Sequence, residues 1–325
     1  MHILVTGGAG VIGSNLCEKL LSLGYSVECI DNLHTGRLGN IAKCQENENF
    51  TFFEHDVIER YEPKRKPDQI YNLASPASVP YCTTSPVQIT LTNVVGSYNM
   101  LELAKACDAT ILEASTSEVY GNPEIHPQPE SYNGNVTPIG VRSCYDESKR
   151  TAESLFFTYW RTYGTKIKVA RIFNTYGPPS RHDDGRIVPN FIVQALLGKP
   201  LTIYGDGSQT RSLCYVDDMV DGLILLMNSD SDVTGPMNIG SQREHTILEL
   251  AQLILDLTGS SSELVFLDLP SDDPLVRNPD TTYAKNTLDW SPSVSLEDGL
   301  TKTIAFFQEL IDGGLIDVSE AASIS

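Results

Sequence analysis

HILVTGGAGVIGSNL, residues 2–16, is the stretch from which the rest of the chain is read. A short, mostly apolar run at 2–6 is strand-like and ends in Gly7, Gly8, Ala9, Gly10, Val11, Ile12, Gly13. Beyond this turn Leu16, Leu20 and Leu21 fall at helical spacing before Gly24, a helix C-cap. Strand, glycine turn and helix make a pyrophosphate cradle, because glycine lets backbone N–H groups approach phosphates at a helix N-terminus. A second strand, Ser26 to Ile30, runs into Asp31. A carboxylate there accepts hydrogen bonds from an adenosine ribose 2′-OH and repels a 2′-phosphate, so the combination predicts NAD rather than NADP. A glycine-rich turn beside an incidental Asp is the alternative.

Further strands are predicted at Phe50 to Glu54, Gln69 to Leu73, Thr110 to Ala114 and Lys166 to Arg171, with helical stretches near 90–107 and 145–163. This alternation predicts an α/β fold, a Rossmann-type doubly wound parallel sheet covered on both faces. Ligands of such sheets lie beyond the carboxyl ends of the strands, here Gly7, Asp31, Asp56, Ala74 with Ser75, Ser115 to Glu118, and Asn174. From about 173 the chain is broken by Pro178, Pro179, Pro189, Pro200, Gly205 and Gly207. A helix at Asp217 to Asn228 and a strand at Pro236 to Ile239 return to the first unit. Ile247 to Thr258, Leu264 to Leu267 and Leu296 to Ile311 complete a smaller cap. The expected division is therefore residues 1–172, rejoined by about 214–243, as the NAD-binding domain, and 173–213 with 244–325 as the substrate-binding domain. Residues 312–325 are a short mixed tail that carries no reading.

Composition narrows the function. With 325 residues, 41% of them hydrophobic, the chain can bury a sizeable core. A formal net charge of -19 argues against nucleic acid or an anionic membrane as the partner. A polyanionic substrate then needs concentrated arginine, and Arg181, Arg186 and Arg211 stand together in the loop-rich part. Seven cysteines without a CxxC pair read as reduced thiols of a cytoplasmic protein, and six histidines without ligand spacing predict no metal. No apolar run approaches the roughly 18 residues of a membrane span, and the first strand begins too early for a signal peptide.

Tyr145 and Lys149 stand four apart on a predicted helix and share one face. A phenol serves as a base near neutral pH only if its pKa falls by roughly 3 units, about 4 kcal/mol, and a neighbouring ammonium is the usual lever. A solvated helix face is the other explanation. Along the same helix Ala152, Phe156, Tyr159 and Tyr163 make an apolar stripe that Leu155, Phe157 and Trp160 widen. Such width predicts burial on two sides. The second side fits a homodimer through the helices near 90–107 and 145–163, with deeper burial in one chain as the alternative.

With these residues in hand, the chain resembles the extended short-chain dehydrogenase/reductase family of nucleotide-sugar enzymes over nearly its whole length. The segments that carry the likeness are VTGGAGVIGSNL, DNLHTGR, NLASPAS (72–78), STSEVYG (115–121), PIGVRSCYDESKR (138–150), ARIFNTYGP (170–178), DGRIVPNF (184–191), YGDGSQTRS (204–212) and DDPLVRNPD (272–280). STSEVYG and DDPLVRNPD are similar to those of the family's decarboxylating members. The resemblance implies a tightly held NAD that is reduced and reoxidised within one turnover. It further implies oxidation of UDP-glucuronate at C4, loss of CO2 from the 4-keto acid, and re-reduction to UDP-xylose. Tyr145, its pKa lowered by Lys149 and the nicotinamide charge, would take the 4-OH proton.

The resemblance also assigns Thr116, Ser117, Glu118 and Arg277 to catalysis. Related 4,6-dehydratases carry an Asp where this chain has Ser117, and simple 4-epimerases carry small hydroxyl residues where it has Glu118. An ionised Glu118 about 4 Å from the substrate carboxylate would cost on the order of 4 kcal/mol at an effective dielectric near 20. Either Glu118 holds a proton, or the substrate group turns away from it toward Arg277. By matching motifs, Gly7, Gly10, Val11, Ile12, Asp31, Asn32, Thr35, Gly36, Asp56, Val57, Leu73, Ser75, Thr92, Tyr145, Lys149 and Arg186 line NAD, and Asn174, Arg211 and Arg277 meet the UDP-sugar. The segment 79–86 departs from the family, with Cys82 where a Tyr is usual and Tyr81 beside it. Another NAD-dependent 4-epimerase or 4,6-dehydratase, or a non-catalytic dinucleotide sensor on the same fold, are the competing readings.

Overall fold

Seven parallel strands build the central sheet: β1 His2–Thr6, β2 Ser26–Asp31, β3 Phe50–Glu54, β4 Gln69–Asn72, β5 Thr110–Thr116, β6 Ile167–Ile172 and β7 Met237–Ile239, in the order β7-β6-β5-β4-β1-β2-β3. The structure is a computed structural model, described at residues 1–78, 80–183, 185–268 and 277–316. Successive side chains of a strand face opposite sides. In β1, Ile3 and Val5 join the apolar cluster built with Leu16 and Leu20 of α1 (Val11–Ser22). Leu4 turns the other way, to Met100 and Leu101 of α2 (Ser97–Cys107) and Phe156 of α3 (Ser143–Tyr163). All three strand residues are fully buried. Each such side chain contributes about 1.5–3 kcal/mol, which is why a run apolar on both sides becomes a covered parallel strand.

The helix expected near 90–107 is continuous but not uniform. Pro86–Leu91 and α2 are joined by one π turn, Thr92–Gly96. A Cβ on Gly96 would come within 2.6 Å of the Val57 side chain, so the backbone passes unusually close there. Such local irregularity recurs at functional sites, and it delivers Thr92 to the rim.

Helix α4, Val216–Met227, packs beside α1, and β7 pairs with β6, so the chain does return to the sheet. A second group of elements stands over the strand ends. They are the helix Ile187–Leu196, the parallel pair Leu201–Tyr204 with Leu264–Leu267, the antiparallel pair Thr210–Ser212 with Glu244–Thr246, and the helices Ile247–Thr258 and Leu296–Asp312. Their apolar residues Phe191, Ile254, Leu300 and Phe307 belong to the same cluster as Leu16 and Met219. The expected stripe on α3 holds for Ala152, Phe156 and Tyr159, which are buried, but Tyr163 is 57% and Trp160 43% exposed. Of the tail, residues 317–325 lie outside the described residues, as does Val79 of the divergent segment.

Candidate active site

Strand order reverses between β1 and β4, and a cleft of about 520 Å³ opens beyond their carboxyl ends. Gly7 has φ +67°, and a Cβ on it would lie 2.8 Å from the Ala74 backbone. One on Gly13 would lie 2.2 Å from the Gly7 carbonyl oxygen. The turn is therefore shaped by contacts that no side chain survives. Thr6 Oγ1 accepts the N–H groups of Leu73 and Ala74 at 3.1 and 3.0 Å and locks β1 to the strand beside it. Asp31 accepts from Ala9 and Leu33 N–H groups at 3.0 and 2.8 Å, while burial pushes its carboxyl upward. Asp56 accepts from Asn32 and Gln88 at 2.9 and 3.1 Å.

All the residues assigned to NAD line this one cleft except Gly36. Gly36 sits behind Asp31, where a Cβ would come within 2.9 Å of both carboxylate oxygens. Ser75 Oγ, also in the cleft, is buried without a hydrogen-bond partner among the described residues. A glycine cradle, a buried carboxylate at the end of β2 and an orphaned hydroxyl fit a dinucleotide.

Farther along the cleft α3 begins, and Tyr145 and Lys149 both line the wall. The sequence places the Lys149 ammonium on the phenol as its lever. The structure differs: Lys149 Nζ donates to Glu113 Oε1 at 3.1 Å and to the Ala114 carbonyl at 2.7 Å. Burial drives the Tyr145 phenol well above its usual range, with the Glu118 and Asp146 charges adding and the Thr116 side chain and Arg186 opposing. The correction has a simple origin, since a carboxylate from β5 holds the ammonium. Asp146 is itself pushed up to about 7, first by burial and then by Glu118. Its Oδ1 is buried with no hydrogen-bond partner among the described residues.

Glu118 is set by a cap. Thr116 Oγ1 accepts the Glu118 N–H at 3.2 Å and starts the 3₁₀ turn Ser117–Tyr120, which leaves the side chains of Ser117 and Glu118 on the cleft wall. Arg277 grips both Glu118 oxygens, with Nη2 to Oε2 at 2.9 Å, and Arg142 Nη2 donates to Oε2 at 2.7 Å. Burial alone would raise this carboxyl, but the Arg277 and Arg142 guanidiniums outweigh it and hold it below the ordinary carboxylate range. Of the two possibilities left by the sequence, this arrangement favours an ionised Glu118 with the substrate group turned toward Arg277. Two guanidiniums thus meet one carboxylate on the cleft wall.

Asn174, Arg186 and Arg211 line the same cleft, and so do Tyr81 and Cys82 of the divergent segment. Arg181, grouped with them in the sequence, is engaged by Asp183 at 2.7 and 2.9 Å and donates to the Thr35 carbonyl. Sequence reasoning missed Arg142, Glu113 and Asn190, whose Oδ1 is buried in the cleft without a hydrogen-bond partner among the described residues. Arg142 and Asn190 stood inside motifs already singled out, PIGVRSCYDESKR and DGRIVPNF. Among the described residues there is no cluster of potential metal ligands, and no helix is long and apolar enough to cross a membrane.

Residues 3–240 match the model of the NAD dependent epimerase/dehydratase family. Among known proteins, the chain is 50% identical over 311 residues to UDP-glucuronic acid decarboxylase 1 of Xenopus tropicalis, covering 96% of this chain and 73% of the other. It is 52% identical over 301 residues to UDP-glucuronic acid decarboxylase 5 of Arabidopsis thaliana, covering 92% and 87%. Among solved structures, UDP-glucuronic acid 4-epimerase from Bacillus cereus in complex with UDP-glucuronic acid and NAD superposes with a TM-score of 0.85 at 30% identity, covering 95% of this chain and 100% of that one.

Proposed function

The chain belongs to the NAD dependent epimerase/dehydratase family, and on that premise we propose that it is an NAD-dependent carboxy-lyase converting UDP-glucuronate to UDP-xylose. The observation that carries the reading is Glu118 held ionised by Arg277 and Arg142 on the same wall as Tyr145.

The glycine turn, Asp31, Asn32, Thr35, Asp56, Val57, Leu73, Ser75 and Thr92 are the residues that would hold NAD, with Gly36 supporting Asp31 from behind. NAD, when bound, supplies the acceptor for the C4 hydride and the donor that returns it. Tyr145 takes the proton of the C4 hydroxyl, and the Thr116 side chain and the Arg186 guanidinium offset the burial that resists its ionisation. The resulting ketone leaves the C6 carboxylate beta to a carbonyl. The C5–C6 bond then breaks with its electron pair delocalised into the enolate, and CO2 departs. C5 next takes up one proton from solvent for each CO2 lost. Ser117 and Glu118 serve that transfer. Because its guanidiniums keep Glu118 ionised, it acts as an acceptor and orienting group rather than as the stored acid. Arg277 and Arg142 offset its charge toward the uronate, while Asn174 and Arg211 serve the UDP end. Tyr145 finally returns its proton to O4.

Incubating the protein with NAD and UDP-glucuronate tests this: CO2 and a UDP-pentose are expected together. A UDP-hexuronate epimer without CO2 would establish the epimerase reading instead, and no consumption would leave the sensor.

The exposed Trp160 and Tyr163 on α3, with Tyr98 on α2, support a homodimer through these helices. Seven free cysteines support a reducing, cytoplasmic setting. The return of β7 to the sheet supports the division in which about 214–243 rejoins residues 1–172 and the remainder forms the sugar-binding part.

A further inference from the structure

Position 113 breaks the pattern of its strand. On β5, Ile111 faces α2 and α3 and belongs to the apolar cluster with Met100, Leu101 and Phe156. Residue 113 is two further on and shares that face. An aliphatic side chain is what the fold needs there, and the chain has a glutamate with no exposed surface. A carboxylate in that place is tolerated only if it is fully paired. Glu113 is paired: Oε1 accepts from Lys149 Nζ at 3.1 Å, and Oε2 accepts from Asn72 Nδ2 at 2.6 Å and Ser97 Oγ at 3.3 Å. Asn72 Oδ1 in turn accepts from Thr6 Oγ1 at 3.0 Å. One chain of hydrogen bonds thus runs from the strand of the glycine turn, through β4, β5 and α2, to the lysine beside Tyr145.

We propose that Glu113 is a positioning residue that fixes the Lys149 ammonium and, by neutralising part of its charge, sets the pH at which Tyr145 works as a base. The inference rests on the reading of Tyr145 as the base at O4. Lys149 is 2% exposed, so solvent and salt screen neither charge of the pair. Whatever field Lys149 exerts on the phenol is the field left over after Glu113. The charges that act most on Tyr145 are those of Glu118 and Asp146, which disfavour the phenolate, and of Arg186, which favours it; Arg142 and Arg277 face Glu118. One turn beyond Lys149, Glu153 is occupied by Arg171 at 2.8 and 2.9 Å and by Ser115 at 2.5 Å.

The test uses the NAD-loaded protein without sugar, labelled with [13Cζ]tyrosine, the Tyr145 resonance being assigned from Y145F. In Glu113→Gln the phenolate signal is expected about one pH unit lower than in the parent, the influence of one charge within about 10 Å at an effective dielectric near 20. The acid limb of kcat/KM against pH is expected to move the same way. Glu113→Asp keeps the charge but withdraws it from Lys149, so it should titrate between the two, and it carries the test alone if Glu113→Gln does not fold. Titration at the parental pH, even with reduced activity, would show a merely structural residue and overturn the proposal, as would an upward shift. The resonance is read without turnover, so absence of decarboxylation in the parent would count against the proposed function and not against this role.

Discussion

Replacing Glu118 by Gln perturbs the site with the least change of shape. Glu118 accepts three charge-assisted hydrogen bonds, two from Arg277 and one from Arg142. An amide retains one acceptor oxygen and turns an NH2 group toward a guanidinium, so at least one Arg277 bond is lost together with the whole negative charge. Removing one partner of a buried ion pair costs about 3–5 kcal/mol. Loss of a group that handles a proton costs about 10²–10⁴ in rate, again about 3–5 kcal/mol. The first cost falls on folding stability, and the second predicts turnover with UDP-glucuronate lower by about two to four decades. Tyr145 and Lys149 make no hydrogen bond to Glu118, so oxidation at C4 should survive, slightly eased because Glu118 no longer disfavours the phenolate. Rapid-quench assays with carboxyl-labelled substrate separate the steps. Reduced nicotinamide should form at a rate near that of the parent and persist, while labelled CO2 and UDP-xylose appear slowly. Product formation within about threefold of the parent, well under the 10²-fold floor of such a loss, would refute the argument. Loss of the nicotinamide signal alone would move Glu118 to the first step.

Asp146 offers a pH test of stability. Its folded value, about 7, stands above the roughly 3.9 of an unfolded Asp. The native state therefore holds the proton longer, and stability declines as pH climbs from about 4 to about 7, by on the order of 4 kcal/mol in all. Asp146→Asn should remove this decline, so its denaturation midpoint should gain on the parent between about pH 4 and pH 8; a constant gap would contradict the assignment. Asp31→Asn should weaken NAD binding by about 10- to 100-fold through lost charged hydrogen bonds and narrow the preference over NADP, read by equilibrium titration with both dinucleotides; an unchanged ratio would remove Asp31 from the ribose. Trp160→Glu should shift the mass measured by light scattering toward the monomer, and an unaltered dimer would place the interface elsewhere.

The glycine cradle and the parallel sheet were legible because local rules set them: Gly7 takes a positive φ and Gly13 abuts the Gly7 carbonyl within the turn, and β1 to β6 are apolar runs of the right length. Asp31 followed from its place at the end of a strand. The charge arrangement was not legible in the same way. Glu118 and Arg277 are 159 residues apart in the chain, and Lys149 and Glu113 are 36 apart, so no periodicity links them. The first pair was approached only through family resemblance; for the second, a lone glutamate two residues beyond Ile111 on the same strand face was the available signal. Arg142 was hidden because a residue just ahead of a helix reads as an ordinary solvated cation. Tyr163 misled for the opposite reason, since a stripe continues to the end of α3 in sequence while the chain's own core stops at Tyr159.

The apolar cluster that runs unbroken from Leu16 and Met219 to Phe191, Ile254 and Leu300 bears on the fate of the reaction's intermediate. A molecule whose two halves meet through polar surface can gape like a shell. Here gaping would drag core side chains into water, at about 25 cal/mol for each Å² of apolar surface uncovered. In the proposed reaction, any 4-keto pentose that escaped would leave by way of the loops at the rim, while the scaffold around Tyr145 stays closed. Retention becomes a race between two rates, a short hydride return inside a stiff frame and a loop displacement at its mouth. In the proposed reaction, the ratio of fully reduced sugar to escaped ketone would thereby be tuned at the rim and not in the core.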